Sequence, residues 1–546
     1  MALLLPYSWV LTMIRLALVA VCSTLVFAPP AWAQQNEHAG MPGMAPDQVG
    51  SASVRFETSC APAVVDDFNT AVAMLHSFWF PEAIKMFEAV AQRDPSCAMA
   101  HWGVAMSQWG NPYAGLKGAD IVQRGKATTD KARATGSPTP RERALIEAVG
   151  ILYSAADAAS HRDRVLGYEA AMQRIAADNP NDIEVRIFHA LAVTQSALPS
   201  DKTYAKQLQA AAILEPLFAK MPTHPGLAHY TIHAYDAPPL AEKGLSAARR
   251  YASLAPAAPH ALHMPSHTFT RLGFWKDSID TNRRSVDAAR NADPNAELHA
   301  LDYQTYAYLQ IGQDTAAKAV VDRAAALQSI PGVNTFALAA IPARYALERG
   351  DWVAAAALTP RPANNTPYTE AMTLFARAIG AARSGNPAAA ATDITRLAEL
   401  RDALQAMQDP YWAEQVEIQR RVAVAWQTFA QGRTDEALTQ MRAAADAEDA
   451  TDKAAVTPGP LAPARELLGY MLLDAGRTEN ALVAFEATMK KEPNRFRGVY
   501  GAAKAAEAAG ARAKATTYYK QLLEIAGDAD TERPELVAAR QFIRNE

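Results

Sequence analysis

The sequence predicts an all-α fold in which pairs of helices stack into a solenoid. The chain of 546 residues is half hydrophobic, rich in alanine and poor in β-branched runs, which is the composition of closely packed helices. A pattern of small and aromatic residues also returns about every 34 residues along most of the chain. An array of such units explains this length with one continuous core instead of several globular domains.

The first residues predict export. Arg15 precedes the apolar run 16–27, and residues 29–33 end in Ala-Trp-Ala, so residues 1–33 have the order of a signal peptide cleaved near Ala33. The mature protein is then periplasmic or secreted. The apolar run is too short to cross a bilayer and no later stretch is long and apolar enough, so no membrane span is expected in the mature chain. Residues 34–62, which have no periodicity, are predicted to be a disordered tail.

Two cysteines remain after cleavage, Cys60 and Cys97. An even pair of cysteines in an oxidising compartment is usually bridged, so a disulfide between them is predicted. A metal-binding thiolate pair is the alternative, although no further cysteine exists to complete such a site.

The charge of the chain argues against nucleic acid as a partner. The formal net charge is -4, from 53 basic and 57 acidic residues. A nucleic-acid-binding surface needs a marked excess of positive charge. Nucleic-acid binding is therefore excluded from the expected functions.

The repeat is clearest near the C-terminal end. One unit contains Leu468, Gly469, Leu472, Gly476, Ala481, Phe485 and Pro493. A shift of about 34 positions gives Ala502, Ala503, Ala506, Gly510, Ala515 and Tyr519. Small residues let two helices approach closely, and an aromatic residue fills the space between neighbouring units. This pattern resembles the tetratricopeptide repeat (TPR) family, which implies a superhelix of helical hairpins.

Three sections follow the predicted tail. Residues 63–356 are predicted to form an N-terminal TPR-like solenoid with a histidine-lined groove, and residues 357–460 a helical middle section with degenerate repeats. Residues 461–546 are predicted to form a C-terminal pair of repeats and a terminal helix. Proline-rich joints at 359–362 and 457–460 interrupt the helices and mark the divisions.

Histidines recur at the repeat period. His229 and His233 are four positions apart and therefore share one helix face. His263 follows His229 by 34 positions, and His267 follows His233 by the same 34. Counted back from the turn at Gly273, both pairs fall on the first helix of their unit, which in TPR proteins faces the concave groove. Equivalent helices are thus expected to place these histidines side by side.

The predicted groove site extends over three neighbouring helices. Its members are His229, His233, Asp236, His260, His263, His267, Arg271, Asp302 and Tyr306. His299 is expected beside Asp302 and Tyr306 on the third helix. Four of these residues, His229, His233, His263 and His267, are candidate ligands for zinc or copper, because neutral imidazoles suit both metals.

Two interpretations without a metal stay open for these histidines. They either line a polar groove that binds a peptide, a protein partner or a small ligand, or they satisfy one another and backbone groups between packed helices. Enzyme activity has no support in a motif, because Tyr230, Thr231 and Ile232 fill the space between the two histidines and none is the glutamate that a helical zinc protease needs. A metal-dependent hydrolase with Asp236 or Asp302 as base is the remaining enzyme hypothesis.

Two phrases extend the resemblance. Residues 229–236 read His-Tyr-Thr-Ile-His-Ala-Tyr-Asp, and residues 260–269 read His-Ala-Leu-His-Met-Pro-Ser-His-Thr-Phe. In this repeat context they resemble an exported bacterial subgroup of the TPR family. Because TPR stacks usually act as binding scaffolds, the resemblance implies a protein that binds a peptide or protein partner in its concave groove.

Overall fold

Helices make up most of the described structure. The computed structural model describes residues 48–154, 161–333, 335–363 and 365–546, and no β-strand occurs in these ranges. None of the helices described is both long and apolar enough to cross a membrane. The predicted signal peptide and residues 34–47 lie outside the described residues.

The helices follow one another with short connections. The first half of the chain forms α1 (Val65–His76), α2 (Phe80–Arg93), α3 (Ala98–Trp109), α4 (Ala119–Thr135), α5 (Pro140–Leu152), α6 (His161–Asp178), α7 (Ile183–Gln195), α8 (Ala205–Lys220), α9 (Pro225–Ala234), α10 (Leu245–Leu254), α11 (Pro259–His263), α12 (Pro265–Leu272) and α13 (Trp275–Ala289).

The second half of the chain continues in the same way. It forms α14 (Pro294–Gln310), α15 (Asp314–Leu327), α16 (Thr335–Glu348), α17 (Trp352–Ala356), α18 (Pro367–Arg383), α19 (Ala390–Ala406), α20 (Pro410–Ala430), α21 (Thr434–Asp449), α22 (Ala464–Asp474), α23 (Thr478–Lys491), α24 (Phe496–Ala508), α25 (Arg512–Ile525) and α26 (Pro534–Arg544). Short 3₁₀ turns lie at Ser51–Ser53, Pro62–Val64, Ala241–Gly244 and Pro387–Ala389.

The packing of these helices is that of a repeat array. Helices that are neighbours in sequence pack against each other, as α13 does on α14 and α24 on α25. The first helices of successive units also touch, as in the pairs α1 and α3, α14 and α16, and α22 and α24. This is a TPR-like solenoid of helical hairpins, so the predicted fold class is confirmed.

In the C-terminal units, one aromatic ring explains why small residues stand where the helices meet. A Cβ atom placed on Gly469 would lie 2.7 Å from the Phe485 ring, and one on Gly501 only 2.2 Å from it. Both distances are shorter than a carbon–carbon contact, so only glycine fits on either side of this ring. Gly476 has a φ of 72° at the turn between the two helices, which glycine adopts without steric cost.

Residues 48–62 are packed, so the prediction of a disordered tail over residues 34–62 is wrong from residue 48 onwards. Val49 and Val54 are fully buried. The Phe56 ring lies 5.0 Å from that of Trp102 and 5.6 Å from that of Phe68, between centroids. The segment lacks helical periodicity because it runs across the ends of several helices, and its few apolar side chains fill gaps between them.

A disulfide joins the start of the chain to the solenoid, as predicted. Cys60 and Cys97 are bonded, with 37 positions between them, and Cys97 directly precedes α3. The bond therefore fixes the segment before α1 to the second helical hairpin, and it excludes the alternative of a metal-binding thiolate pair.

We expect this bond to stabilise the fold by about 2–4 kcal/mol, because it reduces the number of conformations that the unfolded chain can adopt. The urea midpoint should fall when the protein is reduced with dithiothreitol. A Cys60→Ser, Cys97→Ser double variant should unfold at the midpoint of the reduced protein and show no response to the reductant. Equal midpoints for the oxidised and reduced protein would contradict the expectation.

The C-terminal third folds back onto the first half of the solenoid. The backbone N–H of Asp452 donates to the carbonyl of Pro199, and the Trp275 indole donates to the carbonyl of Asn494 at 2.7 Å. The described residues belong to one compact unit. The proline-rich joint at 457–460, predicted to divide two sections, is instead part of a connection packed against the first half, hereafter the closing segment (residues 451–463).

Buried arginines hold this arrangement together. Arg495 is fully buried and lies between Glu348 and Glu466, at 2.7 and 2.8 Å. Arg344 is 1% exposed and donates to the hydroxyl of Thr457 and the carbonyl of Gly459 in the closing segment. The N–H groups of a buried guanidinium need hydrogen-bond acceptors. Arg344 and Arg495 therefore fix the relative positions of the middle and the C-terminal helices.

Candidate metal centre

Four helices carry the histidines that the sequence singles out. His229 and His233 lie on α9, His260 and His263 on α11, His267 on α12, and His299 on α14. Helices α9, α11, α12 and α14 all begin with proline, whose fixed φ and missing N–H suit the first helical position.

The six histidines form two clusters of three. Within each cluster one ring nitrogen from every histidine lies within 4.8 Å of the other two. We call His229, His233 and His260 the first cluster, and His263, His267 and His299 the second cluster. The two are neighbours, since the ring centroids of His233 and His267 are 5.9 Å apart and those of His260 and His263 are 6.0 Å apart.

The closest contacts within the clusters join Nε2 atoms. Nε2 of His229 lies 3.1 Å from Nε2 of His233 and 3.2 Å from Nε2 of His260. In the second cluster, Nε2 of His263 lies 3.1 Å from Nε2 of His267. Which of these atoms carries hydrogen decides whether such a contact is a hydrogen bond or a shared ligand position.

The opposite ring nitrogens show where the hydrogens are. Nδ1 of His229 lies 2.6 Å from the backbone carbonyl of His76, and Nδ1 of His267 lies 2.9 Å from the carboxylate of Asp236. Because a carbonyl and a carboxylate oxygen only accept, both Nδ1 atoms carry the hydrogen.

His263 has its hydrogen on the same atom. Its Nδ1 lies 2.7 Å from Oδ1 of Asn282, whose amide nitrogen donates to the carbonyl of Ser278 at 2.7 Å. The orientation of the Asn282 side chain is thereby fixed with its oxygen towards His263. A neutral imidazole has one N–H group, so Nε2 of His229, His263 and His267 presents a lone pair.

Two lone pairs face each other at 3.1 Å between His263 and His267. Neutral rings in these tautomers cannot form a hydrogen bond with each other, so the two lone pairs repel unless a proton or a metal ion lies between them. A tetrahedral zinc ion with Zn–N bonds of about 2.0–2.1 Å places two ligand nitrogens about 3.3 Å apart. The observed distances are close to that value, and three acceptors orient the rings in the way that metal-bound histidines are usually held.

Burial keeps the imidazoles neutral. His229, His263 and His267 are at most 1% exposed and His233 is 8% exposed. Burial, followed by the neighbouring histidines, holds the pKa of His229 and His263 well below the ordinary 6.5, and burial lowers the pKa of His299 to about 3. A neutral imidazole is the form that binds metal, so the clusters are ready to bind an ion at neutral pH.

Aromatic rings enclose the clusters. The Phe78 ring lies 4.4 Å from that of His229 and 5.2 Å from that of His260, between centroids. Its backbone φ is 52°, an uncommon value for a non-glycine residue that points to a local constraint. Tyr113 stacks on His233 at 4.2 Å, and Tyr303 stacks on His267 at 5.0 Å. No repeat pattern in the sequence marks Phe78 or Tyr113.

Asp236 and Arg271 lie beside the second cluster and not within it. The Asp236 carboxylate receives hydrogen bonds from Nδ1 of His267 and from Nε of Arg271 at 2.8 Å. Lys453 in the closing segment lies 3.3 Å from the same carboxylate. Despite its burial, the pKa of Asp236 is well below the usual range, because Lys453 and Arg271 favour the charged form. Asp236 therefore orients His267.

Asp302 and Tyr306 point elsewhere, so the prediction that they line the histidine groove is wrong. Asp302 is paired with Arg344 at 2.8 Å, and the Tyr306 hydroxyl lies 3.0 Å from Arg495. The side chains that face the second cluster from α14 are His299 and Tyr303. They follow His263 and His267 by 36 positions, so this unit is two residues longer than the period that the earlier helices indicate.

The histidine helices do not offer an open groove. The Tyr303 hydroxyl donates to the carbonyl of Thr457 at 3.0 Å, with the carbonyl of Ala455 at 3.2 Å as a second acceptor, so the closing segment lies over these helices. The sequence cannot show this contact, because more than 150 positions separate the partners. A peptide could not reach the buried histidines without displacing the closing segment.

A third histidine group is hydrogen-bonded internally. Glu184 accepts from Nε2 of His76 at 2.9 Å and from Nε2 of His224 at 3.0 Å. The other ring nitrogen of His224 accepts from the backbone N–H of Leu227 and so begins α9. The polar atoms of this group have partners within the protein, and its role is to hold α1, α7 and α9 together and to place the His76 carbonyl against His229.

Fold and site together define an all-α TPR-like solenoid with two buried three-histidine clusters. No family model matches the chain, and no curated protein matches it. A solved structure that is similar is the crystal structure of the P58(IPK) TPR domain at 2.5 Å, with 11% identity over 88% of this chain and 99% of that chain. The TM-score is 0.21, too low for this likeness to support a conclusion about the chain.

Proposed function

We propose that this is an exported protein that binds transition-metal ions, with one zinc or copper ion in each three-histidine cluster. The observation that carries the proposal is the 3.1 Å contact between Nε2 of His263 and Nε2 of His267, whose hydrogens are both on Nδ1. Three imidazole ligands for one ion are a common set for zinc and also suit copper.

The other functions considered from the sequence have less support at these helices. A peptide groove requires exposed side chains, whereas the histidines lie beneath the closing segment. A metal-dependent hydrolase requires a carboxylate that is free to accept a proton. Asp236 is held by Arg271, Lys453 and His267, and Asp302 is paired with Arg344 and not directed at the histidines.

The proposal is tested by elemental analysis of protein purified without a histidine tag and dialysed against zinc or copper. We expect about two ions per chain, and about half of that for His229→Ala or His263→Ala alone, since each change removes one ligand from one cluster. The double variant should bind almost none.

The matched control is His101→Ala, because His101 is a half-buried histidine on α3 outside both clusters. This variant should bind as much metal as the unchanged protein. Circular dichroism reports whether each variant is folded. Protein that stays metal-free after loading, or a folded double variant with an undiminished metal content, would rule the proposal out.

A further inference from the structure

The charge around the two clusters discriminates between metals. The candidate ligands of these two clusters are all imidazoles, without a carboxylate or a thiolate in either. The nearest carboxylate is Asp236, which already interacts with two cations, Arg271 and Lys453. Burial and the neighbouring Arg271 lower the pKa of Lys453 to about 8, so this trio of side chains supplies no negative charge to offset bound metal.

Two divalent ions would bring four positive charges into this buried space. Charges in a protein interior are costly unless oppositely charged groups accompany them. Two monovalent ions bring half that charge. Of the metals that imidazole suits, copper is the one with a stable monovalent state, so the ligand set favours a pair of copper(I) ions over a pair of zinc ions.

Each cluster would also leave one coordination position of its ion open to a shared ligand. Each cluster supplies three nitrogens, one fewer than the four ligands that a tetrahedral site holds. The clusters are adjacent, with 5.9 Å between the ring centroids of His233 and His267. His260 and His299 are the least buried of the six histidines, so their side of the clusters is the nearest to solvent.

We propose that the two clusters hold a pair of copper(I) ions that binds dioxygen between them. Each copper(I) gives up one electron, and dioxygen takes up both, so that two copper(II) ions and one bound peroxide result. No proton or further reductant is needed. The two negative charges of the peroxide offset half of the four positive charges of the oxidised pair, which supplies the anion that the protein lacks. This inference rests on the proposed metal site and adds its ligand.

The test begins with full-length protein loaded anaerobically with copper(I) and freed of excess metal. On exposure to oxygen, we expect the uptake of one dioxygen for each pair of bound copper ions. The oxidised protein should give little or no copper signal in electron paramagnetic resonance, because the unpaired electrons of two bridged copper(II) ions couple.

The outcomes separate this inference from the metal site itself. Full-intensity signals of isolated copper(II), one copper per chain, or no oxygen uptake would overturn the dioxygen inference while the metal site stands. Binding of zinc alone would have the same consequence. Failure to bind either metal would overturn both.

Two variants show whether both clusters are needed. His299→Ala removes a ligand from the second cluster and His260→Ala removes one from the first, and both side chains lie at the half-buried edge. In each variant the remaining copper should oxidise to an ion with a full signal, and pairwise oxygen uptake should be lost. His101→Ala should behave as the unchanged protein. If both cluster variants fold and retain signal-free, pairwise uptake, the dioxygen inference is wrong.

Discussion

Metal-free protein should lose most of its stability when the pH falls from about 6.5 to about 5. Burial holds the pKa of His229, His233, His260 and His263 well below 6.5 in the folded protein, whereas in the unfolded chain they titrate near that value. The unfolded state therefore binds more protons below pH 6.5, and stability falls with pH. At pH 5.5, one unit below 6.5, each of these histidines lowers the free energy of unfolding by about 1.4 kcal/mol, and the four together lower it by about 5–6 kcal/mol.

That loss is comparable with the whole stability of a typical domain, which is about 5–15 kcal/mol. Urea unfolding followed by circular dichroism at a series of pH values measures it. Metal-loaded protein provides the comparison, because a bound ion blocks protonation of its ligands and should shift the loss to lower pH. An unfolding free energy that is the same at pH 7.5 and pH 5 in the metal-free protein would contradict the expectation.

Replacing Arg495 should be the most damaging single change outside the histidine clusters. Arg495→Met leaves the carboxylates of Glu348 and Glu466 buried, at most 1% exposed, without their counter-ion. Breaking a buried ion pair in this way costs about 3–5 kcal/mol, because the remaining charge is uncompensated. Thermal and urea unfolding of the variant measure the loss.

Two further variants show that the effect comes from stranded charge. Arg433→Met removes an arginine whose side chain is 51% exposed and paired on the surface with Glu436, and it should cost no more than about 1 kcal/mol. Adding Glu348→Gln and Glu466→Gln to Arg495→Met should recover part of the lost stability, since neither carboxylate then remains charged. If the triple variant is less stable than Arg495→Met alone, the loss of stability comes from altered packing and not from uncompensated charge.

The sequence predicts the part of this fold that is set by local spacing. Gly469 against Phe485 and the turn at Gly476 follow directly from the repeat pattern, because each unit packs mainly on its neighbours. That the histidine helices are neighbours is predictable for the same reason, although His229 contacts His260 and not His263. The assignment of Asp302 and Tyr306 on the next helix is wrong, because the turn at Gly312 follows Tyr303 by nine positions, whereas the turn at Gly273 follows His267 by six.

Contacts between distant parts of the chain could not be predicted from periodicity. Lys453 meets Asp236 across more than 200 positions, and nothing in either local sequence indicates the other. The same holds for Phe78, whose backbone conformation places its ring against the first cluster. Such features depend on how the C-terminal third packs against the first half of the chain. That packing is set by the burial of many charged and apolar groups together.

The closing segment also bears on how quickly an ion can enter or leave. Tyr303 and Thr457 come together across 154 positions, and contacts of such sequence separation form late in folding because closing a long loop is slow. Ions are thus expected to meet the histidines while the C-terminal third is still undocked. Afterwards, exchange should require this third of the chain to undock again. The residence time of a bound ion would then be set by a slow opening of the protein and not by the strength of its nitrogen–metal bonds.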